Sequence, residues 1–319
     1  MKKYIVSAAL FFTGMVAFAQ QDAQFTQNMF NKLSVNPGYA GANGGICGTF
    51  LSRTQWTGFD GHPSTNLFSA DALLFSKHGV GLTVFQDKLG IERSLVAKLA
   101  YSYHLTLGPG SLGIGVEGGY LSKSFGDDFI AVDDPNFDPS IPNGGTSAGT
   151  FDLGLGVYYN IPNKMYVGIS TLHLTASELK DVADGSAGGT GALNFAQSRH
   201  YYIMAGYDWD MSGGAQKWVL KPSILAKTDA ASTQLDLNTL VMYNKLVWGG
   251  VSYRIEDAIA ILAGVNIPQL PGLKIGASYD ITTSSLGDHS SGSLEFMVKY
   301  CTSITKPAKR EVYHSVRFL

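Results

Sequence analysis

Large apolar residues recur at every second position through stretch after stretch of this chain, and that period confines most of it to β-sheet. In Phe151-Asp152-Leu153-Gly154-Leu155-Gly156-Val157-Tyr158-Tyr159 the odd positions are large and apolar, and those between are mostly small or polar. Leu95, Ala97, Leu99, Tyr101 and Tyr103 repeat the pattern, with Lys98, Ser102 and His104 on the other face. So do Leu235, Leu237, Val241 and Tyr243, against Asp236 and Asn238. Successive side chains of a strand point to opposite faces, so each stretch has one apolar and one polar face. A soluble sandwich alternates too. Strand length and connection length separate the two.

The alternation predicts about fourteen strands, at 45–56, 64–75, 79–89, 92–107, 111–125, 149–161, 164–175, 199–211, 217–229, 232–244, 246–256, 258–268, 273–283 and 292–301. Most have 10 to 13 residues. An ordinary strand has about 5–6, and a tilted strand crossing a bilayer needs about 9–11. Ser76-Lys77-His78, Gly108-Pro109-Gly110, Pro162-Asn163, Ser212-Gly213-Gly214 and Asn244-Lys245 read as tight turns from their chemistry. The long insertions, 57–63, 126–148, 176–198 and 284–291, all fall on the opposite parity. Short turns at one end and long loops at the other describe an all-β transmembrane antiparallel barrel in an outer membrane. Its long loops face the outside, and an even strand count puts both termini in the periplasm.

The chain ends agree. Lys2 and Lys3, the apolar run Ile5 to Val16 and Ala17-Phe18-Ala19 have the order of a cleaved export signal, giving segment 1–19. A periplasmic N-terminal segment 20–44 then precedes a barrel over 45–301. Leu294 to Tyr300 alternates and closes on an aromatic, and a basic tail, 302–319, follows as a periplasmic extension. Losing Lys2 and Lys3 leaves 21 basic against 25 acidic residues, a net charge of −4, with no concentrated basic face for nucleic acid. With charged residues at 15% and 38 glycines, the composition suits strands whose two faces meet different solvents.

Motifs for catalysis do not emerge. Gly113-Ile114-Gly115-Val116-Glu117-Gly118 spells G-x-G-x-x-G, but it lies inside a strand with no helix to follow. Glycine on a crowded lumen face explains it better. Asp127, Asp128, Asp133, Asp134 and Asp138 crowd one long loop without the regular spacing of a calcium loop, and read as a solvated loop. The histidines at 62, 78, 104, 173, 200, 289 and 314 make no H-x-x-x-H, and the cysteines no C-x-x-C. His104 and His173 are expected to line a polar lumen. Neither a cofactor nor a metal is expected, and the chain is read as no enzyme.

The segment Gln21-Asp22-Ala23-Gln24-Phe25-Thr26-Gln27-Asn28-Met29-Phe30-Asn31, then Val35-Asn36-Pro37-Gly38-Tyr39-Ala40-Gly41, resembles the opening of the PorP/SprF family of the Bacteroidota type IX secretion system. Arg53-Thr54-Gln55-Trp56 and Gly61-His62-Pro63-Ser64-Thr65 are similar to its R-x-Q-W and G-x-P-x-T. Asp87 to Gly90, Ala100 to His104, Phe151 to Gly154, Gly156 to Tyr159 and Val316 to Leu319 continue the match in order. The resemblance implies an outer-membrane component that binds or attaches a secreted cargo or gliding adhesin through the cargo's C-terminal secretion domain, and that contacts periplasmic components of the machinery. A porin-like channel for small solutes is the alternative. The binding candidates are the family-like positions Phe25, Phe30, Asn36, Pro37, Tyr39, Arg53, Gln55, Trp56, Pro63 and Thr65. Structural roles compete at each. Asn36-Pro37-Gly38-Tyr39 is a turn that seats the N-terminal stretch against or inside the barrel, and Trp56 suits an interfacial anchor. Arg53 has lumen parity, suited to an inward acid such as Asp152 or Glu295.

Closure makes one further expectation. The first strand of a closed antiparallel sheet pairs with the last, which brings Cys47 and Cys301 near each other on the inner side of the seam. They are a disulfide candidate there, or two unrelated small residues.

Overall fold

The computed structural model describes residues 22–126, 146–180, 194–213 and 217–303. Fourteen antiparallel strands close into one barrel: β1 (Gly45–Thr54), β2 (Ser64–Leu74), β3 (His78–Leu89), β4 (Glu92–Leu107), β5 (Gly110–Phe125), β6 (Thr146–Ile161) and β7 (Met165–Leu172). Then come β8 (His200–Tyr207), β9 (Trp218–Thr228), β10 (Thr233–Tyr243), β11 (Val247–Arg254), β12 (Ala258–Asn266), β13 (Leu273–Thr282) and β14 (Ser293–Ser303). Each strand pairs with its neighbours in sequence, and β1 with β14 closes the ring. Because every edge is paired, no row of backbone N–H and C=O groups is left to meet lipid.

The period-two reading holds, with the two faces turned inside out relative to a soluble protein. On β6, Phe151 is 75% exposed and Asp152 5%. On β4, Leu99 is 68% exposed and Lys98 4%. Apolar side chains outward and charged ones inward is what a lipid-facing wall requires. The tight turns expected around Lys77, Gly108, Pro162 and Asn244 form where the sequence places them, while Ser212-Gly213-Gly214 runs outside the described residues. Leu74 to Lys77 and Tyr243 to Leu246 close by hydrogen bonds from residue four to residue one, with positive φ at Phe75, Ser76, Asn244 and Lys245. That is the primed turn whose twist matches the strands it joins. Connections 55–63 and 283–292 lie at the other end of the barrel, as do the described parts of the connection between Leu172 and His200.

The N-terminal segment departs from the periplasmic placement expected for 20–44 and follows the other expectation, that the turn Asn36 to Tyr39 seats it inside the barrel. Residues 22–44 do not hang below the barrel as a periplasmic segment; they run through its lumen as a plug. The plug starts at Asp22 in the half nearer the long loops, where Tyr202 donates to Asp22 and His173 meets it. It descends through two short 3₁₀ turns, Asn28–Phe30 and Pro37–Tyr39, and reaches β1 at the short-turn end. The starts of β1 and the end of β14 share that end, as even strand number requires. The plug itself climbs back, so Asp22 stands in the opposite half from Ser303.

Where the plug packs, the inner wall is apolar as well. Leu51, Leu67, Leu240, Trp248, Leu262 and Met297 form a buried cluster against Phe25, Met29 and Phe30 of the plug. Each fully buried side chain of this size contributes about 1.5–3 kcal/mol. The matching sequence signal is a doubled apolar residue, as in Phe50-Leu51, Leu67-Phe68 and Phe296-Met297, where one member faces lipid and the other faces the plug.

The export signal 1–19, the acidic cluster Asp127 to Asp138 and the tail beyond Ser303 lie outside the described residues. The last strand runs two residues past its expected end at 301.

Candidate functional site

The lumen is the place where the chain concentrates chemistry, and it has two differently built ends. Toward the long loops, β1 and β14 set Arg53 opposite Glu295. The Arg53 guanidinium donates to Glu295 at 3.1 Å and, from β13, Asp280 at 2.8 Å. Thr26 of the plug sits inside this fork. Its hydroxyl meets Arg53 Nη1 at 2.9 Å and donates to Asp280, while the backbone N–H groups of Thr26 and Gln27 donate to the two Glu295 oxygens at 2.8 Å each. Three donors answer the Glu295 carboxylate, and such hydrogen bonds offset part of the cost of burying its charge. Arg254 extends the network to Asp236 and Asp257, and Lys98 pairs with Glu117 across β4 and β5.

The second ionic group lies beside Asp22. His173, just past β7, has Nδ1 at 2.7 Å from Asp152 and Nε2 at 2.9 Å from Asp22. Burial lowers the His173 pKa, but the Asp22 charge and the hydrogen bonds the ring donates to both carboxylates outweigh it and push it up to about 9.

The short-turn half holds the plug differently. Asn36 accepts from the Gly38 N–H at 2.9 Å and donates to the Val157 carbonyl of β6 at 3.1 Å, with Pro37 opening the turn. Tyr39 is buried edge-on to Tyr158, with ring centres 5.2 Å apart. The backbone of Pro37 and Gly38 lies directly on Gly115. A Cβ there would stand 2.4 Å from Gly38 N, and one on Gly113 2.2 Å from the Gly38 carbonyl. The lumen-face glycines of the G-x-G-x-x-G stretch are therefore the seat of the plug. His104 completes it, with Nε2 2.7 Å from the Ala40 carbonyl.

Below this seat a cavity of about 510 Å³ is lined by Lys32, Lys164, Lys221, Lys274 and Lys299, with Trp248 among its aromatic walls. Burial, then repulsion from Lys299, pulls the Lys32 pKa well below the ordinary lysine value. Its ammonium lies 3.3 Å from the Tyr166 ring centre, a cation–π contact that partly replaces lost water.

The family-like residues are distributed over these contacts. Phe25, Phe30, Asn36, Pro37 and Tyr39 belong to the plug, with the Phe30 and Trp248 ring centres 4.8 Å apart. Arg53 is fully buried and pairs with Glu295, as its parity allows; Asp152 binds His173 instead. Gln55 donates its N–H to the Pro63 carbonyl, Thr65 donates to Asp87 at 2.6 Å, and Trp56 N–H bonds Ser293 Oγ. Six of these ten, Asn36, Pro37, Tyr39, Arg53, Pro63 and Thr65, are buried. Cys47 stands opposite Cys301 across the seam, Cα atoms 4.1 Å apart, and the two are bonded. Missed by sequence reasoning are Asp22, Thr26, His200, Asp280 and Lys299. Asp280 and Lys299 were legible as charges at inward parity between Tyr279 and Ile281 and between Val298 and Tyr300. Asp22 and Thr26 carry no such local signal.

A plug-bearing outer-membrane barrel with the ordered motifs above finds its match in one family model, that of the type IX secretion system membrane protein PorP/SprF, over residues 17–300. The chain belongs to the PorP/SprF family. That family is a membrane component of the type IX secretion system. No curated protein matches this PorP/SprF sequence. Among solved structures, the toluene transporter TbuX of Ralstonia pickettii is similar at a TM-score of 0.49 and 11% identity, over 86% of this chain and 93% of that one. The monoaromatic hydrocarbon channel CymD gives 0.48 and 12%, over 87% and 93%. The translocator domain of the autotransporter NalP from Neisseria meningitidis gives 0.44 and 13%, over 86% and 92%. At these values the likenesses carry no argument about what this PorP/SprF barrel does.

Proposed function

We propose that this PorP/SprF protein is a non-enzymatic outer-membrane component of the type IX secretion system that binds or attaches a secreted cargo or adhesin at the cell surface. The occupied lumen carries the reading. A barrel whose bore holds its own residues 22–44, tied to the wall by ions at one end and by close backbone packing at the other, offers its ends rather than its bore to partners. On this reading the long-loop end faces outward to cargo and the short-turn end faces the periplasm. The lysine-lined cavity there suits an acidic surface on a periplasmic component of the machinery. Of the buried family-like residues, Asn36, Pro37, Tyr39 and Arg53 serve by holding the plug, and none of the six reaches a partner while it stays seated.

Deleting the gene in its host tests the proposal. One adhesin or cargo should vanish from the cell surface while most type IX cargo is still exported. Normal display of every neighbouring cargo counts decisively against it. Planar bilayers separate the channel alternative: the plugged barrel should conduct far less than a general porin, and porin-like conductance would favour solute passage instead.

A further inference from the structure

We infer that Asp22, His173 and His200 form a divalent transition-metal site, of the kind zinc occupies, which clips the beginning of the plug to the barrel wall. The three residues each present one ligand atom, all within 4.8 Å of one another. Two imidazoles and a carboxylate are a donor set suited to zinc and its neighbours, with water free to take the fourth position.

Each ligand is oriented by a partner behind it. Asp152 can only accept, so His173 Nδ1 carries a proton toward it at 2.7 Å, which aims Nε2 at Asp22. His200 Nδ1 donates to the Ser198 carbonyl at 3.0 Å, which leaves Nε2 with its lone pair. That Nε2 is buried and has no hydrogen-bond partner, in a residue only 2% exposed. A buried acceptor without a partner is costly, and an ion bound to this lone pair would satisfy it. The Tyr202 hydroxyl donates to Asp22 at 2.7 Å and fixes its carboxylate. The histidine rings stand edge to face, with centres 5.4 Å apart. A tetrahedral zinc ion bound at about 2.0–2.2 Å holds its donors about 3.3–3.6 Å apart, so the widest pair must close by up to about 1.5 Å, through rotation of the side chains.

Binding displaces the proton that His173 Nε2 shares with Asp22, and releases it to water. The ion and its three protein ligands then bridge three parts of the chain: the plug at Asp22, the end of β7 at His173 and the start of β8 at His200. Those last two flank the 173–199 connection, so one ion ties the base of that loop to the plug. Asp22 keeps a quarter of its side chain exposed, which leaves a route for the ion.

The test uses untagged, full-length mature protein in detergent, stripped with EDTA and titrated with zinc chloride. One equivalent of zinc should bind. His200→Ala should abolish that equivalent, Asp152→Asn should weaken it by about 10–100-fold, and His78→Ala, far from the site, should leave it unchanged. Absence of a stoichiometric equivalent in the wild type, or equal uptake by His200→Ala, overturns the inference. Should His200→Ala lose the heat-modifiable gel shift of a folded barrel, X-ray absorption at the zinc edge of the wild type decides. Imidazole scattering from two histidines supports the site, and an all-oxygen shell overturns it.

Discussion

The two ends of the β1–β14 seam are fastened by opposite means. Near the long loops the strands are joined by Arg53 and Glu295, whose charges also grip Thr26 and Gln27 of the plug. Near the short turns they are joined by the Cys47–Cys301 disulfide, and the plug above it is held by shape, with Pro37 and Gly38 lying against Gly113 and Gly115. Charge-assisted hydrogen bonds exchange with water when a path opens, whereas a covalent tie and a backbone fitted against glycine do not. The long-loop end of the plug is therefore held by charge, and the short-turn end by shape beside a covalent tie.

Breaking the charged end should cost most. Arg53→Ala leaves Glu295 buried without its cation and Asp280 with Arg254 alone, a loss of about 3–5 kcal/mol. The temperature at which the folded gel band converts to the unfolded one should fall, and amide exchange at residues 25–28 should rise while residues 36–41 stay protected. Uniform exchange along the whole plug would erase the contrast. Replacing both cysteines by serine opens a closure of 254 residues and should cost about 2–4 kcal/mol. Non-reducing gels should first show the wild type migrating as the bonded form, and free thiols in oxidised wild-type protein would contradict that pairing.

Smaller effects sharpen the steric half. Gly115→Val drives a side chain into Pro37 and Gly38, and should destabilise by about 1–3 kcal/mol. Its signature is reversed, with exchange rising at 36–41 and the Thr26 contacts retained. Asn36→Ala removes the cap on Gly38 and the bond to Val157, for about 0.5–2 kcal/mol in chemical unfolding. No measurable change there would mean that glycine packing alone seats the turn.

The apolar wall around Phe25 and Phe30 explains a limit of the alternation rule. Period two identifies which residues face lipid, because the bilayer demands an apolar band from every strand. It does not say what fills the lumen. The doubled apolar residues such as Phe50-Leu51 and Phe296-Met297 were visible as departures from a polar inner face, and they mark where the plug lies. The charged inner positions were half legible: Arg53 and Glu295 share the seam that barrel closure defines, but Asp280 joins them only because β13 brings it alongside.

By itself the sequence determined the strands, their number, the end on which the long connections fall, and the side each residue faces. These follow from short-range rules, a period of two residues and turn chemistry over three or four, which the chain obeys locally before any of it packs. The tertiary structure alone decided that residues 22–44 turn back into the barrel. Their partners lie far away along the chain, as Thr26 is from Asp280 and Asn36 from Val157, and the plug has no repeat of its own to announce them. Its course is set by buried groups on the wall that need partners and by glycines that leave room for its backbone, and neither exists until the barrel has closed.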